Sequence, residues 1–280
     1  MPSLSRSRPA RRPLAVALAT ALALPGLALA QATAPAEPEA AESEAVQLDA
    51  IEVTAQRRVE NIQDVPVSIT AVSGEKLDVI GSGGEDIRFL SSRLPSLQIE
   101  SSYGRAFPRF YIRGLGNTDF DLNASQPVSL VYDGVVQENP ILKGFPVFDL
   151  DGIEMARGPQ GTLFGRNSPA GVISFNSARP VPETGGYFQV GMGSFGSLNA
   201  EGAFNTALID GVMLRFSGLH QRRDDYVDNV FNGPGDDLEG YRESAFRLQA
   251  LVENGDGFEL LANVHMRQLE GTARLFRAGI

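Results

Sequence analysis

Apolar and polar positions change rhythm several times along the chain. Residues 14–24 are an apolar run behind Arg6, Arg8, Arg11 and Arg12. Residues 31–47 show no apolar period at all. Between residues 51 and 175, short strand-like and helix-like stretches alternate with turns. From Tyr187 onward the period is two, and it persists for most of the remaining chain.

The first run is eleven residues, from Leu14 to Leu24. A helix that crosses a bilayer needs about 20. Pro25 and Gly26 break the run, and Ala28-Leu29-Ala30 supplies small residues for a peptidase. Residues 1–30 therefore read as a cleaved secretory signal peptide, which places function outside the inner membrane. Cleavage removes four arginines and takes the net charge from −10 to −14. Residues 31–48 are rich in Ala, Glu and Pro and lack aromatics, the composition of an extended linker that cannot bury enough surface to order itself. Asp49, Ala50, Ile51, Glu52, Val53, Thr54 and Ala55 follow, with Ile51, Val53 and Ala55 alternating against Glu52 and Thr54. Spacing alone leaves two readings open: an edge strand of the next domain, or a strand offered to another protein's sheet.

The middle of the chain reads as a small mixed domain. Val65–Val72 is β-rich. Ser73 can cap a short helix to about Ile80, ended by Gly81. Ile87, Leu90 and Leu94 have helical spacing over Asp86–Leu94, closed by Pro95. Strands are predicted at Leu97–Ser101 and Phe110–Arg113. Val128–Tyr132, Asp133-Gly134 and Val135-Val136 form a hairpin signal, because Asp-Gly suits a turn with positive φ. Phe148–Arg157 and Val172–Phe175 are two more predicted strands.

In the tail, the two parities separate cleanly. Phe188, Val190 and Met192 share a face. Leu198, Ala200, Gly202 and Phe204 lie opposite Asn199, Glu201 and Asn205. Val212, Leu214 and Phe216 lie opposite Arg215, Ser217 and Gln221. Phe246, Leu248, Ala250 and Val252 lie opposite Arg247, Gln249 and Glu253. Phe258 to Met266 repeats the pattern against Glu259, Asn263, His265 and Arg267. Five strands of about ten residues with one greasy face suit a membrane barrel wall, although a soluble sandwich has the same alternation. Asp210-Gly211 and Asn254-Gly255-Asp256-Gly257 are tight turns, whereas Arg222–Glu243 is a long polar loop. That asymmetry puts the tight turns on the periplasmic side and the long loop outside. Five strands would leave two bare edges, so they read as the front part of a longer barrel.

Composition removes several chemistries. Cysteine is absent and histidine occurs only at His220 and His265. Cysteine-ligated metals are excluded, and little remains for histidine catalysis. With 24 basic against 34 acidic residues, a nucleic-acid partner is not expected. Gly191-Met192-Gly193-Ser194-Phe195-Gly196 matches a dinucleotide fingerprint, but that motif requires a following helix and Leu198 onward has period two. Asn117, Asp119, Asp121 and Asn123 alternate like a calcium loop. Ala124 and Leu130 stand where glycine and glutamate would be needed. No nucleophile–base pair is apparent, so no enzyme activity, cofactor or metal is expected.

The order of these segments resembles the TonB-dependent outer-membrane receptors. Asp49–Ala55 looks like their TonB box. Val65-Pro66-Val67-Ser68-Ile69, Arg113-Gly114-Leu115-Gly116 and Val131-Tyr132-Asp133-Gly134-Val135 resemble motifs of the plug domain. The most specific run is Glu154 with Arg157-Gly158-Pro159-Gln160-Gly161-Thr162-Leu163-Phe164-Gly165-Arg166-Asn167. Ser168-Pro169-Ala170-Gly171 departs from the family's usual Ala-Thr-Gly-Gly. The resemblance implies a mixed α/β plug over 56–180, followed by antiparallel transmembrane β-barrel strands over 181–280. It further implies a nutrient receptor, typically for a ferric siderophore, with vitamin or glycan uptake as the alternative. The partners would be TonB of the TonB–ExbB–ExbD complex and outer-membrane lipid. A truncated plug that only occupies TonB is the other reading. Glu154, Arg157 and Arg166 are candidates for charges tying plug to barrel, or else simply for plug folding. Arg105, Arg109, Asn117, Asp119, Asp121 and Asn123 are candidates for substrate contact in outward-facing plug loops.

Overall fold

The change of rhythm near residue 180 is a change of architecture. The computed structural model describes residues 51–272, apart from 55–56, 75–76, 78–85, 120, 122, 231–236 and 256. The signal segment, the linker, Asp49, Ala50, Ala55 and most of the helix expected after Ser73 lie outside the described residues.

Among the described residues before 180 there are nine strands. They are β1 (Glu52–Val53), β2 (Glu60–Asn61), β3 (Ile69–Ser73), β4 (Leu97–Ser101), β5 (Pro108–Ile112), β6 (Val128–Tyr132), β7 (Val135–Gln137), β8 (Leu150–Arg157) and β9 (Gly171–Ser177). The main sheet runs β3-β8-β9-β6-β7, and β4 pairs separately with β5. Among the described strands only β6 and β9 run parallel, which β7, β8 and the short helix Gly161–Phe164 between them make possible. Asp133 and Gly134 both have positive φ, 47° and 79°, as the Asp-Gly hairpin signal requires. Ile153, Met155, Ile173 and Phe175 of this sheet bury against Ile99, Phe110 and Ile112 of the β4–β5 hairpin.

One expectation shifts in detail. The turn after Asp86 is a 3-10 helix, Ile87–Ser92, rather than an α-helix. Asp86 still caps it, accepting from the Arg88 amide at 3.0 Å, and Leu90 still enters the core. The Ser168-Pro169-Ala170-Gly171 variation leaves β9 intact. Ser168 Oγ donates to the Gly165 carbonyl at 2.8 Å, so a hydroxyl helps shape the turn that the proline amide cannot bond. Gly171 is needed there: at φ 152° a Cβ would sit 2.4 Å from the Ala156 carbonyl.

After residue 180, β10 (Gly185–Met192), β11 (Leu198–Ile209), β12 (Val212–Arg223), β13 (Tyr241–Glu253) and β14 (Glu259–Gly271) form one antiparallel meander in sequence order. The meander does not close into a complete barrel. Its faces are inverted relative to a water-soluble sheet. Glu243, Arg247 and Gln249 are 1%, 0% and 1% exposed, while Phe188, Met192 and Met266 are 75%, 85% and 64% exposed. A soluble sandwich would bury the apolar parity. Here the polar parity is buried against the plug and the apolar parity is left outside, as in a plugged membrane barrel. His220 and His265 lie in β12 and β14, as wall residues. Of the dinucleotide-like glycines, Gly191 lies in β10 and Gly193 and Gly196 in its connection to β11, so a strand rather than a helix follows them.

Candidate functional site

Inward-facing polar side chains on a wall strand need partners, and the plug supplies them at two places. At the first, Phe148 and Asp149 lead into β8. Asp149 adopts φ 49° and presents its carboxylate to the wall. Arg247 Nη2 donates to Asp149 Oδ2 at 2.9 Å, and Arg215 Nε donates to the same oxygen at 3.0 Å. The Asp149 amide donates to Glu201 Oε1 at 3.1 Å. Arg247 also donates to the Tyr132 hydroxyl at 3.0 Å and lies 4.9 Å from the Phe148 ring centre. Burial alone would raise the Asp149 carboxyl. The hydrogen bonds and charges of Arg215 and Arg247 overcome it, and the group ends below its ordinary range. Burial pushes the Tyr132 phenol up to about 12, so it stays neutral and can accept from Arg247. Nearby, Asn263 Nδ2 donates to Asp133 Oδ2 at 2.9 Å.

At the second place, Arg105 sits in the turn between β4 and β5. Its Nη1 donates to Gln221 Oε1 and to Glu243 Oε2, both at 2.6 Å. Its guanidinium stacks 3.6 Å from the Tyr241 ring centre. Arg267 Nε holds the other Glu243 oxygen at 2.8 Å. Both clusters thus put one carboxylate between two guanidiniums.

These contacts correct several expectations. Arg105 is buried between plug and wall, not turned outward to a substrate. Arg109 is also buried, where Nη2 donates to Ser102 Oγ at 2.9 Å and lies 3.4 Å from Glu100. It sits inside β5 rather than in a loop. Asn117, Asp119, Asp121 and Asn123 do form an exposed loop. Asp119, Asp121 and Asn123 each donate a backbone amide to the side chain two residues back, so they shape their own turns. Among the described residues no acidic or histidine cluster could hold a metal ion.

Among the described residues, Glu154, Arg157 and Arg166 make no bond to the wall strands. Arg157 Nη2 donates to Thr70 Oγ1 and to the Pro95 carbonyl at 2.8 and 2.9 Å, both inside the plug. Arg166 lies 3.6 Å from Glu138, largely in solvent. The plug-to-wall ties are instead Asp149 and Arg105. Parity on β11, β12 and β13 marked Glu201, Arg215 and Arg247 as inward-facing. Nothing in the spacing indicated which plug residue would meet them.

Glu154 has another partner. On β8 it points away from Ile153 and Met155, toward the chain's N-terminal strand. The Thr54 amide lies 2.9 Å from both Glu154 oxygens, and Thr54 Oγ1 donates at 3.0 Å. β1 pairs with β2 through Glu52↔Asn61 and Val53↔Glu60, and Val53 is buried. The strand over residues 51–54 is therefore docked on the plug as a short edge ladder, the first of the two readings left open by its spacing.

Residues 61–172 match the family model described as TonB-dependent Receptor Plug Domain. The pesticin receptor of Yersinia pestis is 32% identical over 181 residues, covering 64% of this chain and 26% of that protein. The vitamin B12 transporter BtuB of Vibrio vulnificus is 27% identical over 176 residues, covering 61% and 27%. The crystal structure of the ferric yersiniabactin uptake receptor FyuA from Yersinia pestis superposes with a TM-score of 0.67 at 28% identity, covering 74% of this chain and 32% of that one. The chain thus spans about a quarter to a third of the length of these relatives. They are receptors and transporters, not enzymes. Sequence likeness across the plug and backbone likeness across plug and wall point the same way: residues 61–172 match the TonB-dependent receptor plug domain, and the chain as a whole is similar to the front part of such receptors.

Proposed function

We propose that this chain forms the plug and adjoining wall of an outer-membrane receptor that imports a scarce nutrient under TonB control. The observation that carries the reading is the inverted wall, charged toward the plug and apolar outward. Such a face is stable against lipid and unstable against water. Residues 1–30 export the chain. The plug blocks the lumen, substrate binds from outside, and the strand Asp49–Ala55 is then offered to TonB. Pairing of that strand with TonB lets the TonB–ExbB–ExbD complex pull on the plug, driven by the proton gradient. Asn117, Asp119, Asp121 and Asn123 remain the candidates for substrate contact. Arg105 and Arg109 do not, because both are engaged inside the protein.

A ferric siderophore is the favoured substrate class, supported by the 28% identity to a ferric yersiniabactin uptake receptor. A vitamin is the second reading, supported by the likeness to a vitamin B12 transporter. Deletion of residues 49–55 should abolish uptake of the ferric siderophore that supports iron-limited growth, while the receptor still fractionates with outer membranes. Unchanged uptake would refute the TonB step. Recovery of the chain in the soluble fraction would refute the receptor reading. Uptake of cobalamin but of no ferric siderophore would select the vitamin reading.

A further inference from the structure

The docked strand is paired along one edge and held at Thr54 on the other. Backbone groups along a strand alternate between its two sides. On one side the Ile51 carbonyl accepts from the Ile62 amide at 2.9 Å, and Val53 pairs with Glu60. On the other side lies the Thr54 amide, and Glu154 holds it with both carboxylate oxygens at 2.9 Å. A strand joining by β-augmentation needs a free edge with its donors and acceptors exposed. One edge is taken by β2, and on the other Glu154 holds the Thr54 amide that a joining strand would need.

The chemistry of the holder suits release. Glu154 is 6% exposed, and among the described residues no cation is ion-paired with it. Its charge is met by the Thr54 amide, by Thr54 Oγ1 at 3.0 Å and by Asn176 Nδ2 at 3.1 Å. Asn176 also donates to Thr54 Oγ1 at 3.2 Å, so one amide group braces both partners. A carboxylate makes charge-assisted bonds that a neutral acceptor would not match. The ladder it reinforces is only two residue pairs long. Glu154 lies on β8, and Asp149, the residue just before that strand, is bound to wall arginines. A shift of β8 against the wall would therefore move the carboxylate relative to Thr54.

We infer that Glu154 is a positioning residue that latches the N-terminal strand: it occupies the edge a TonB strand would use and keeps the strand docked until β8 moves. This rests on the proposed pairing of Asp49–Ala55 with TonB. The chain has no cysteine, so a single V53C substitution reports on docking without background. Val53 is 1% exposed when docked. In isolated outer membranes without substrate, maleimide should label V53C about tenfold faster in E154Q than with Glu154 present, given the energy of a hydrogen bond to a charged group. V172C, buried in β9, should stay protected in both backgrounds. The purified periplasmic domain of TonB should bind E154Q membranes about tenfold more tightly than the parent. Unchanged V53C labelling overturns the latch, and so does equal acceleration at V172C, which would mean a generally loosened plug. Faster V53C labelling with unchanged TonB binding upholds the latch and overturns the partner reading beneath it.

Discussion

Replacing Asp149 by Asn should loosen the plug from its wall. The side chain is 1% exposed and stands between Arg215, 14% exposed, and Arg247, 0% exposed. Asparagine keeps the shape but removes the charge, leaving two guanidiniums facing each other. Removing one partner of a buried ion pair costs about 3–5 kcal/mol. Arg215 retains some solvent, so the lower end of that range, about 3 kcal/mol, is expected. The assay is urea titration of the detergent-solubilised chain, read by protease cleavage within the plug. With a slope of about 2 kcal/mol per molar, the midpoint should fall by about 1.5 M. A variant with Leu at 149 and Met at both 215 and 247 should recover more than half of the loss, because no charge is then stranded. The pH dependence follows from the lowered carboxyl. A group whose folded pKa is depressed stabilises fully above its unfolded value of about 4 and loses that contribution as pH falls through the folded value. The gap between parent and D149N should therefore be constant from about pH 5 to 7 and close in stronger acid. Equal midpoints at pH 7, or a gap that widens in acid, would refute the reasoning.

The opposite sign is expected at Lys143. Burial pushes its ammonium down to about 8, against a raising effect of Glu138. Below that pH the fold must hold a buried charge, so K143M should raise the urea midpoint at pH 7 by an amount worth about 2 kcal/mol, and the gain should vanish above about pH 10.5. At the second plug–wall contact, R105M removes the bonds to Gln221 and Glu243 and the stack on Tyr241. Arg267 still pairs with Glu243, so the loss should be about 2 kcal/mol in the same titration. R105K should recover less than half of it, because an ammonium neither forks nor stacks like a guanidinium.

Local signals carried the wall and the hairpins. Strict parity located all five tail strands, and Asp133-Gly134 located a turn whose two residues both adopt positive φ. The contacts between plug and wall were not legible, because they join residues about 50 to 140 positions apart and parity says only that a side chain faces inward. Arg109 illustrates a second failure. Spacing puts it just outside the predicted strand, in an outward loop, whereas β5 begins at Pro108 and buries it. A proline is tolerated as the first residue of a strand, so the boundary could have been drawn earlier. Glu154 illustrates a third. Its parity on β8, opposite Ile153 and Met155, indicated which face it used, but which element covered that face was invisible until β1 was seen to dock there.

The most direct measurement is a cysteine scan along β13 in intact outer membranes, from Ala245 to Ala250, read with a lipid-phase thiol probe and a water-soluble one. Positions 246, 248 and 250 should react from the lipid, while 245, 247 and 249 should be shielded by the plug. Uniform reaction with the aqueous probe, or reaction of both parities alike, would contradict a wall that faces lipid on one side and its plug on the other.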